Sequence, residues 1–155
     1  MQQLTRLLDI MSALRDPQNG CPWDLKQDFK SLVPYTLEEA YEVAEAIELG
    51  DMTEVKKELG DLLFQVVFYG QLAKEEGAFD FDDIAGAIAD KMVSRHPHVF
   101  SDHKYDSEEA FLKAWEEQKE VEKRQAIAEK SPEEDKTDEP ESLIDGISKI
   151  LPAMT

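Results

Sequence analysis

Apolar residues recur at helical spacing through most of the chain. Near the N-terminus they predict a first amphipathic helix, whose buried face comprises Leu4, Leu7, Leu8, Met11 and Leu14. This helix is expected to end in DPQNGCPWD, residues 16–24, where proline, glycine and asparagine favour turns. No segment shows the period-two alternation that is typical of a strand. The pattern therefore predicts an all-α fold, a small helical bundle of four to five helices.

Capping signals and breakers place the later helices. Capping-box pairs mark the starts of the second and third helices, Thr36 with Glu39 and Asp51 with Glu54. Glycines follow the ends of these two helices, Gly50 after Leu49 and Gly77 after the third. The fourth helix is expected from around Asp82 to just before His96. The fifth is expected from Asp106 or Ser107, with Phe111, Ala114 and Trp115 on one side.

The character of the sequence changes after residue 128. The segment EKSPEEDKTDEPES, 129–142, has many charges and almost no apolar residue, so it predicts an acidic flexible linker. Apolar residues return in LIDGISKILPAMT, 143–155, but this stretch is too short to build a second core. We therefore expect a folded module over 1–128, the linker over 129–142, and the truncated start of a second module or a tail over 143–155.

Charge and composition exclude several classes of partner. The chain has 35 Asp and Glu against 17 Lys and Arg, a net charge of -18. No basic stripe is available to neutralise phosphates, so we expect no nucleic-acid partner. The single cysteine, Cys21, fits a reducing compartment. Because no apolar run approaches the roughly 20 residues of a membrane span, and no signal-peptide pattern opens the chain, we expect a cytoplasmic protein with no membrane partner.

Two pairs of carboxylates stand out in the second and third helices. Glu39 and Glu42 form an E-x-x-E pair, and Glu58 and Asp61 form an E-x-x-D pair. On a helical wheel, the side that carries Glu58 and Asp61 continues as apolar or amide residues, Gln65, Phe68 and Leu72, so it is not a solvated face. A short turn should fold the two helices antiparallel and bring the pairs level with each other.

Four converging carboxylates suggest a site for a hard cation, Mg²⁺ or Mn²⁺. The alternative is that a chain this acidic places such residues together by chance, in capping and surface roles. Glu39 has the weakest claim to a metal role, because the Thr36 capping box gives it another one.

A second group of candidates lies on the predicted fourth helix. Lys91 and Arg95 continue the line of Ile84 and Ile88, so a core face becomes basic at its end, an arrangement that suits a polyphosphate. The alternative is two solvated cations. No G-x-x-x-x-G-K-[ST] loop is present, which excludes a P-loop site. No H-E-x-x-H motif occurs, and the histidines either side of Pro97 cannot share a helix face.

Several stretches together resemble the MazG nucleoside triphosphate pyrophosphohydrolases. They are GCPWD at 20–24 with Gln27, PYTLEEAYEVAEAI, ELGDLLFQVVFYGQLA and DKMVSRHPHVF. The resemblance covers nearly all of residues 1–120, and it implies an all-α fold and a signature that binds Mg²⁺. That signature falls on Glu38, Glu39, Glu42, Glu58 and Asp61. The implied catalytic residues are Glu38 and Glu39, with Glu39 also a metal ligand beside Glu42, Glu58 and Asp61. The implied nucleotide contacts are Lys91, Arg95 and Trp115.

The reaction implied by the resemblance is hydrolysis of a nucleoside triphosphate to the monophosphate and diphosphate, with broad tolerance of base and sugar. Residues 143–155 resemble the start of the second module of tandem MazG proteins, so we expect either a fragment or a shortened natural form. In tandem members a lysine often lies seven residues before the aspartate of the motif, where this chain has Glu54. The rival hypothesis is therefore a catalytically weak structural or dimerisation module.

Two further expectations concern tryptophan and assembly. Trp23 is expected in the core, although it shares with Trp115 the chemistry for stacking on a base. The third helix is apolar almost all round between Leu62 and Ala73, which favours a homodimer with Phe64 or Phe68 in its interface.

Overall fold

The computed structural model describes residues 2–129, and all regular secondary structure in this range is helical. The helices are α1 (Gln2–Leu14), a 3₁₀ turn (Asp24–Lys26), α2 (Phe29–Leu49), α3 (Met52–Glu75), α4 (Phe81–Arg95), α5 (Pro97–Phe100) and α6 (Glu108–Glu129). The predicted all-α class is confirmed. Apart from Glu129, where α6 ends, the predicted linker and the 143–155 segment lie outside the described residues. The 1–128 module boundary stays a prediction.

The chain divides into two compact units, with the boundary between His96 and Pro97. In the first unit α3 packs against α2, α1 and α4. The core consists of Met11, Leu32, Val67, Phe68 and Leu72, with partly buried side chains such as Phe29, Phe64 and Phe81 around it. This arrangement makes α3 the central helix of the unit and confirms burial of the Phe68 and Leu72 side of that helix.

Helix α2 begins seven residues earlier than the sequence pattern predicts. Asp28 is the N-cap, its side chain accepts a hydrogen bond from the Ser31 backbone N–H at 2.8 Å, and the Ser31 hydroxyl closes the capping box. The predicted start at Thr36 is wrong because this box lies upstream and the helix tolerates Pro34 in its interior. The Thr36 hydroxyl instead donates to the Leu32 carbonyl at 3.1 Å.

The second unit contains the short helix α5, which periodicity does not predict, and helix α6. Ser107 caps the start of α6, where its hydroxyl accepts from the Ala110 backbone N–H at 3.1 Å. An aromatic cluster forms beside it: the rings of His98 and Phe111 lie 4.8 Å apart, and those of Phe111 and Trp115 lie 5.7 Å apart. Phe111, Ala114 and Trp115 are all half-buried, which confirms that they share a packed side of the helix.

Among the described residues, no helix combines the length and apolar character that crossing a membrane requires.

Candidate metal centre

The turn between α2 and α3 brings the predicted carboxylate pairs together. Gly50 adopts the left-handed conformation at φ 74°, and Asp51 then caps α3 by accepting from the backbone N–H groups of Thr53 and Glu54. Because only these two residues separate the helices, α2 and α3 run back along each other over most of their length. Glu42 and Glu58 thus lie at similar heights above the turn.

Three of the predicted ligands form a compact set. Glu39, Glu58 and Asp61 each offer a carboxylate oxygen, and these oxygens all lie within 4.8 Å of one another. Glu39 and Glu58 are half-buried and Asp61 is exposed, so the set opens to solvent on the Asp61 side. Six oxygens around a Mg²⁺ ion are at most about 4.2 Å apart. Small side-chain rotations would therefore close the set around such a cation.

The electrostatics of the set indicate a deficit of positive charge. Desolvation raises the pKa of Glu58 to about 7, and the protonated carboxyl is further favoured by a hydrogen bond to Glu54 and by the charge and hydrogen bond of Glu42. Partial burial also raises the pKa of Glu39, with added repulsion from Asp61, Glu42 and Glu38. Glu42, the fourth predicted ligand, thus acts on both groups. A divalent cation would relieve this repulsion, so the donor set fits one.

Glu39 is available for this role. Its predicted occupation as the capping partner of Thr36 is wrong, because Thr36 lies in the second turn of α2 and the cap is formed by Asp28 and Ser31. Glu38 is exposed on the same helix, and its charge is among the causes that raise the pKa of Glu39.

Sequence reasoning missed a cation next to the cluster. The Lys57 ammonium lies 2.6 Å from Glu54 Oε2, and its pKa is raised first by the hydrogen bond and charge of Glu54, and also by the charge of Glu58. Glu54 lies where the sequence resemblance predicts a lysine, and Lys57 stands one helical turn away. The i, i+3 spacing of Glu54 and Lys57 was the signal that could have found it.

The other predicted contacts lie on α4 and α6. Lys91 lines a groove of about 510 Å³ on α4, together with Phe79, Asp83, Ile84, Ala87 and Ile88. This confirms that Lys91 continues the Ile84–Ile88 line, whereas none of the cluster carboxylates lines the groove. Arg95 is half-buried at the end of the same helix. Trp115 belongs to the aromatic cluster of the second unit.

Trp23 is not the core residue that the sequence suggests. Its side chain is 47% exposed, and its ring meets the Tyr35 ring edge-on at 5.7 Å between centroids. Tyr35 lies one helical turn before Glu38 and Glu39 on α2. The exposed Trp23 ring therefore lies against the N-terminal part of α2, the helix that carries Glu39.

The fold and the site together define a class of all-α proteins that carry a carboxylate cluster between two antiparallel helices. The sequence profile of the MazG nucleotide pyrophosphohydrolase domain matches residues 27–100. A crystal structure of a MazG-related protein from Thermotoga maritima superposes with a TM-score of 0.61 at 30% identity, over 75% of this chain and 98% of that chain. The chain belongs to the MazG family.

Two curated relatives extend the comparison. The nucleoside triphosphate pyrophosphohydrolase of Escherichia coli strain K12 is 52% identical over 99% of this chain and 54% of its own length. The nucleoside triphosphate pyrophosphohydrolase/pyrophosphatase MazG of Thermotoga maritima is 47% identical over 76% of this chain and 44% of its own length. The chain thus spans about half the length of these relatives.

Proposed function

We propose that the chain is a Mg²⁺-dependent nucleoside triphosphate pyrophosphohydrolase. Water is consumed, the bond between the α and β phosphates breaks, and the nucleoside monophosphate and diphosphate leave. The observation that carries this proposal is the convergence of Glu39, Glu58 and Asp61 within 4.8 Å. The names of the relatives support the reaction, and the oxygen-only donor set supports a hard cation, with Mn²⁺ as a second candidate.

The roles of the carboxylates follow from their positions. Glu39, Glu42, Glu58 and Asp61 hold the cation from two helices, which fixes its place between them. Glu38 is exposed beside Glu39 and would either ligate the cation or orient the attacking water as a general base. A bound divalent cation withdraws charge from phosphate oxygens and activates water as a nucleophile.

The phosphates and the base need further contacts. Lys91 and Arg95 are the proposed partners of the phosphate chain, because they end the α4 face with two positive charges. Trp23 offers a half-exposed ring on which a base can stack, and Tyr35 supports it from the edge. Trp115 remains a second stacking candidate. Stacking accepts every base, which agrees with the proposed broad tolerance of base and sugar.

The proposed unit is a homodimer. Within one chain, Leu59 and Leu63 on α3 remain 49% and 40% exposed. Tyr41 and Ile47 on α2 are also exposed. A second copy of the same surface would cover these side chains.

The second candidate function is a catalytically weak structural or dimerisation module. The observation that favours it is Glu54, an extra negative charge that hydrogen bonds to Glu58 and offsets the charge of Lys57. If this candidate is correct, adding Mg²⁺ and a nucleoside triphosphate should leave the melting temperature unchanged, since a ligand of the native state must raise it.

The deciding experiment is diphosphate release from a panel of nucleoside triphosphates with and without Mg²⁺. Glu58→Gln and Asp61→Asn should lower kcat/KM by at least about 100-fold, as removal of a metal ligand costs no less than removal of its supporting shell. Glu45→Gln is the matched control, because Glu45 is an exposed acid on α2 and the substitution removes the same charge. Equal rates in all three variants would contradict the assignment, and no turnover by the folded wild type with Mg²⁺ would favour the second candidate.

A further inference from the structure

Gln65 is a buried polar residue whose amide oxygen has no partner among the described residues. The side chain is 7% exposed, and its Oε1 atom is shielded from solvent without a hydrogen bond. Leaving a buried acceptor unpaired costs about 1–3 kcal/mol. An unpaired buried acceptor in a folded protein calls for an explanation, and a water or ion bound at the site supplies one.

The position of Gln65 on α3 indicates where a donor would lie. Glu58, Asp61 and Gln65 follow each other at three- and four-residue intervals, so they share one stripe of the helix. Helical side chains lean toward the N-terminus and cover the preceding turn. The Gln65 amide therefore leans toward the turn that carries Asp61. The stripe faces α2, because Tyr69, a further turn along, reaches the Thr36 hydroxyl at 2.8 Å.

The groups that the structure describes, residues 2–129, leave this acceptor without a donor. The Thr36 hydroxyl donates to the Leu32 carbonyl, which leaves the Tyr69 hydroxyl to donate to Thr36. On the other side of Gln65, one helical turn toward the N-terminus, α3 carries Asp61, whose carboxylate accepts hydrogen bonds when ionised and cannot serve as the donor. Along α3, the Gln65 amide therefore lies between the candidate metal centre and the hydroxyls of Thr36 and Tyr69, whose hydrogens are both already donated.

We propose that Gln65 is a positioning residue of the metal centre, whose amide oxygen accepts a hydrogen bond from a water that the cation carries. The inference rests on the proposed function in requiring a cation among Glu39, Glu58 and Asp61. Mg²⁺ gives up its waters reluctantly and keeps several of them in protein sites. A water bound at about 2.1 Å extends the reach of the cation by a further hydrogen bond of about 2.8 Å. That reach suits a residue one helical turn beyond the ligands.

Gln65→Met keeps the length of the side chain and removes its polar atoms. We expect it to maintain or raise thermal stability but to weaken metal binding. In metal-free protein the variant should melt at the same temperature as the wild type or higher, since an unpaired acceptor is gone. Its affinity for Mn²⁺ should be about 10-fold weaker, the lower range for loss of an outer-shell partner. A residue with a purely structural role would leave the affinity unchanged.

The test is a titration of metal-free protein with Mn²⁺ alone, followed by calorimetry or by the electron paramagnetic resonance of free Mn²⁺. Gln71→Met is the matched control, because Gln71 lies on the same helix but more than two turns beyond Asp61. Its side-chain amide donates to Glu75 at 2.9 Å. Its Mn²⁺ affinity should equal that of the wild type. If Gln65→Met does not fold, Gln65→Asn keeps an amide but shortens its reach, and it should also bind Mn²⁺ more weakly than the wild type.

The outcomes separate this inference from the proposed function. Affinity of Gln65→Met within about twofold of the wild type, or of Gln65→Asn if that variant is used, would overturn the role of Gln65 while leaving the metal centre intact. A wild type that binds no Mn²⁺ would overturn the cation site itself and with it the proposed function. Weaker binding in the Gln65 variant with an unchanged Gln71 control would support the inference.

Discussion

Arg15 and Glu75, 60 residues apart in sequence, form a two-point ion pair between the end of α1 and the end of α3. Arg15 Nε donates to Glu75 Oε1 at 3.0 Å, and a terminal guanidinium nitrogen donates to Oε2. The other terminal nitrogen donates to the backbone carbonyls of Asp24 and Gln27, at 2.6 and 3.2 Å. One side chain thus joins α1, the 3₁₀ turn and α3.

Arg15→Ala is expected to lower the free energy of unfolding by about 3 kcal/mol. The substitution leaves two carbonyls without their donor and a partly buried carboxylate without its partner. Arg15→Lys should recover little of the loss, because a single ammonium cannot reproduce the planar fork that serves four acceptor atoms on three residues. Urea unfolding at pH 7 measures both values. A loss below about 1 kcal/mol for Arg15→Ala would show that the ion pair and hydrogen bonds of Arg15 contribute little to stability.

Gly20→Ala is expected to destabilise the fold by about 2 kcal/mol or more through a steric clash. A Cβ atom at Gly20 would lie 2.4 Å from the Leu14 carbonyl oxygen and 2.5 Å from that of Asp16, and backbone atoms cannot yield as a side chain does. Gly86→Ala is the control, since nothing lies within 4 Å of a Cβ there. That helical position should gain up to about 1 kcal/mol. Thermal unfolding measures the stability of both variants. Equal melting temperatures for Gly20→Ala and Gly86→Ala would contradict the prediction.

The stability of the metal-free protein should depend on pH through Glu58. Its pKa is raised from 4.5 to about 7, so the folded state binds a proton more tightly than the unfolded state does. This contribution is fully present below about pH 4.5 and is lost as pH rises through about 7. Melting temperatures in a chelator should therefore fall across this window, and they should fall less in Glu58→Gln. A slope identical in both proteins would contradict the assignment to Glu58.

The proposed homodimer predicts different outcomes for two apolar residues of α3. The sequence predicts Phe64 or Phe68 in the interface. Phe68 is only 1% exposed within one chain, so Phe68→Asp should prevent folding, and half-buried Phe64 stays the candidate of the two. Leu63 is 40% exposed, and Leu63→Asp should give a folded monomer. Light scattering after gel filtration measures the mass, and circular dichroism checks the fold. A wild type that elutes as a monomer at micromolar concentration would refute the dimer.

Periodicity predicted the helices whose burial follows the local pattern. Helices α1, α3 and α4 begin and end within about two residues of their expected limits. For α3 and α4 the reason is a local one, since Asp51 and Asp80 cap the first turns of these helices. Helix α2 differs because the capping box of Asp28 and Ser31 lies upstream of Thr36, and the helix continues through Pro34.

The carboxylate cluster was predictable in part, because spacing within a helix and the length of one turn determine which side chains meet. The 4.8 Å set of Glu39, Glu58 and Asp61 follows from these two quantities. The unpaired amide of Gln65 and the exposure of Trp23 were not predictable, since both depend on what the neighbouring helices place around them.

Only Gly50 and Asp51 connect α2 to α3. The proposed metal centre therefore depends on the number of residues between its ligands and this turn, as well as on the ligands themselves. Deleting one residue from α2 between Glu42 and Gly50 would rotate Glu39 and Glu42 by about 100° and shift them by about 1.5 Å relative to Glu58. Every proposed ligand would still be present, yet the two pairs would no longer face each other. In this stretch of the gene, single-codon insertions and deletions are therefore expected to damage the proposed centre as much as loss of a ligand.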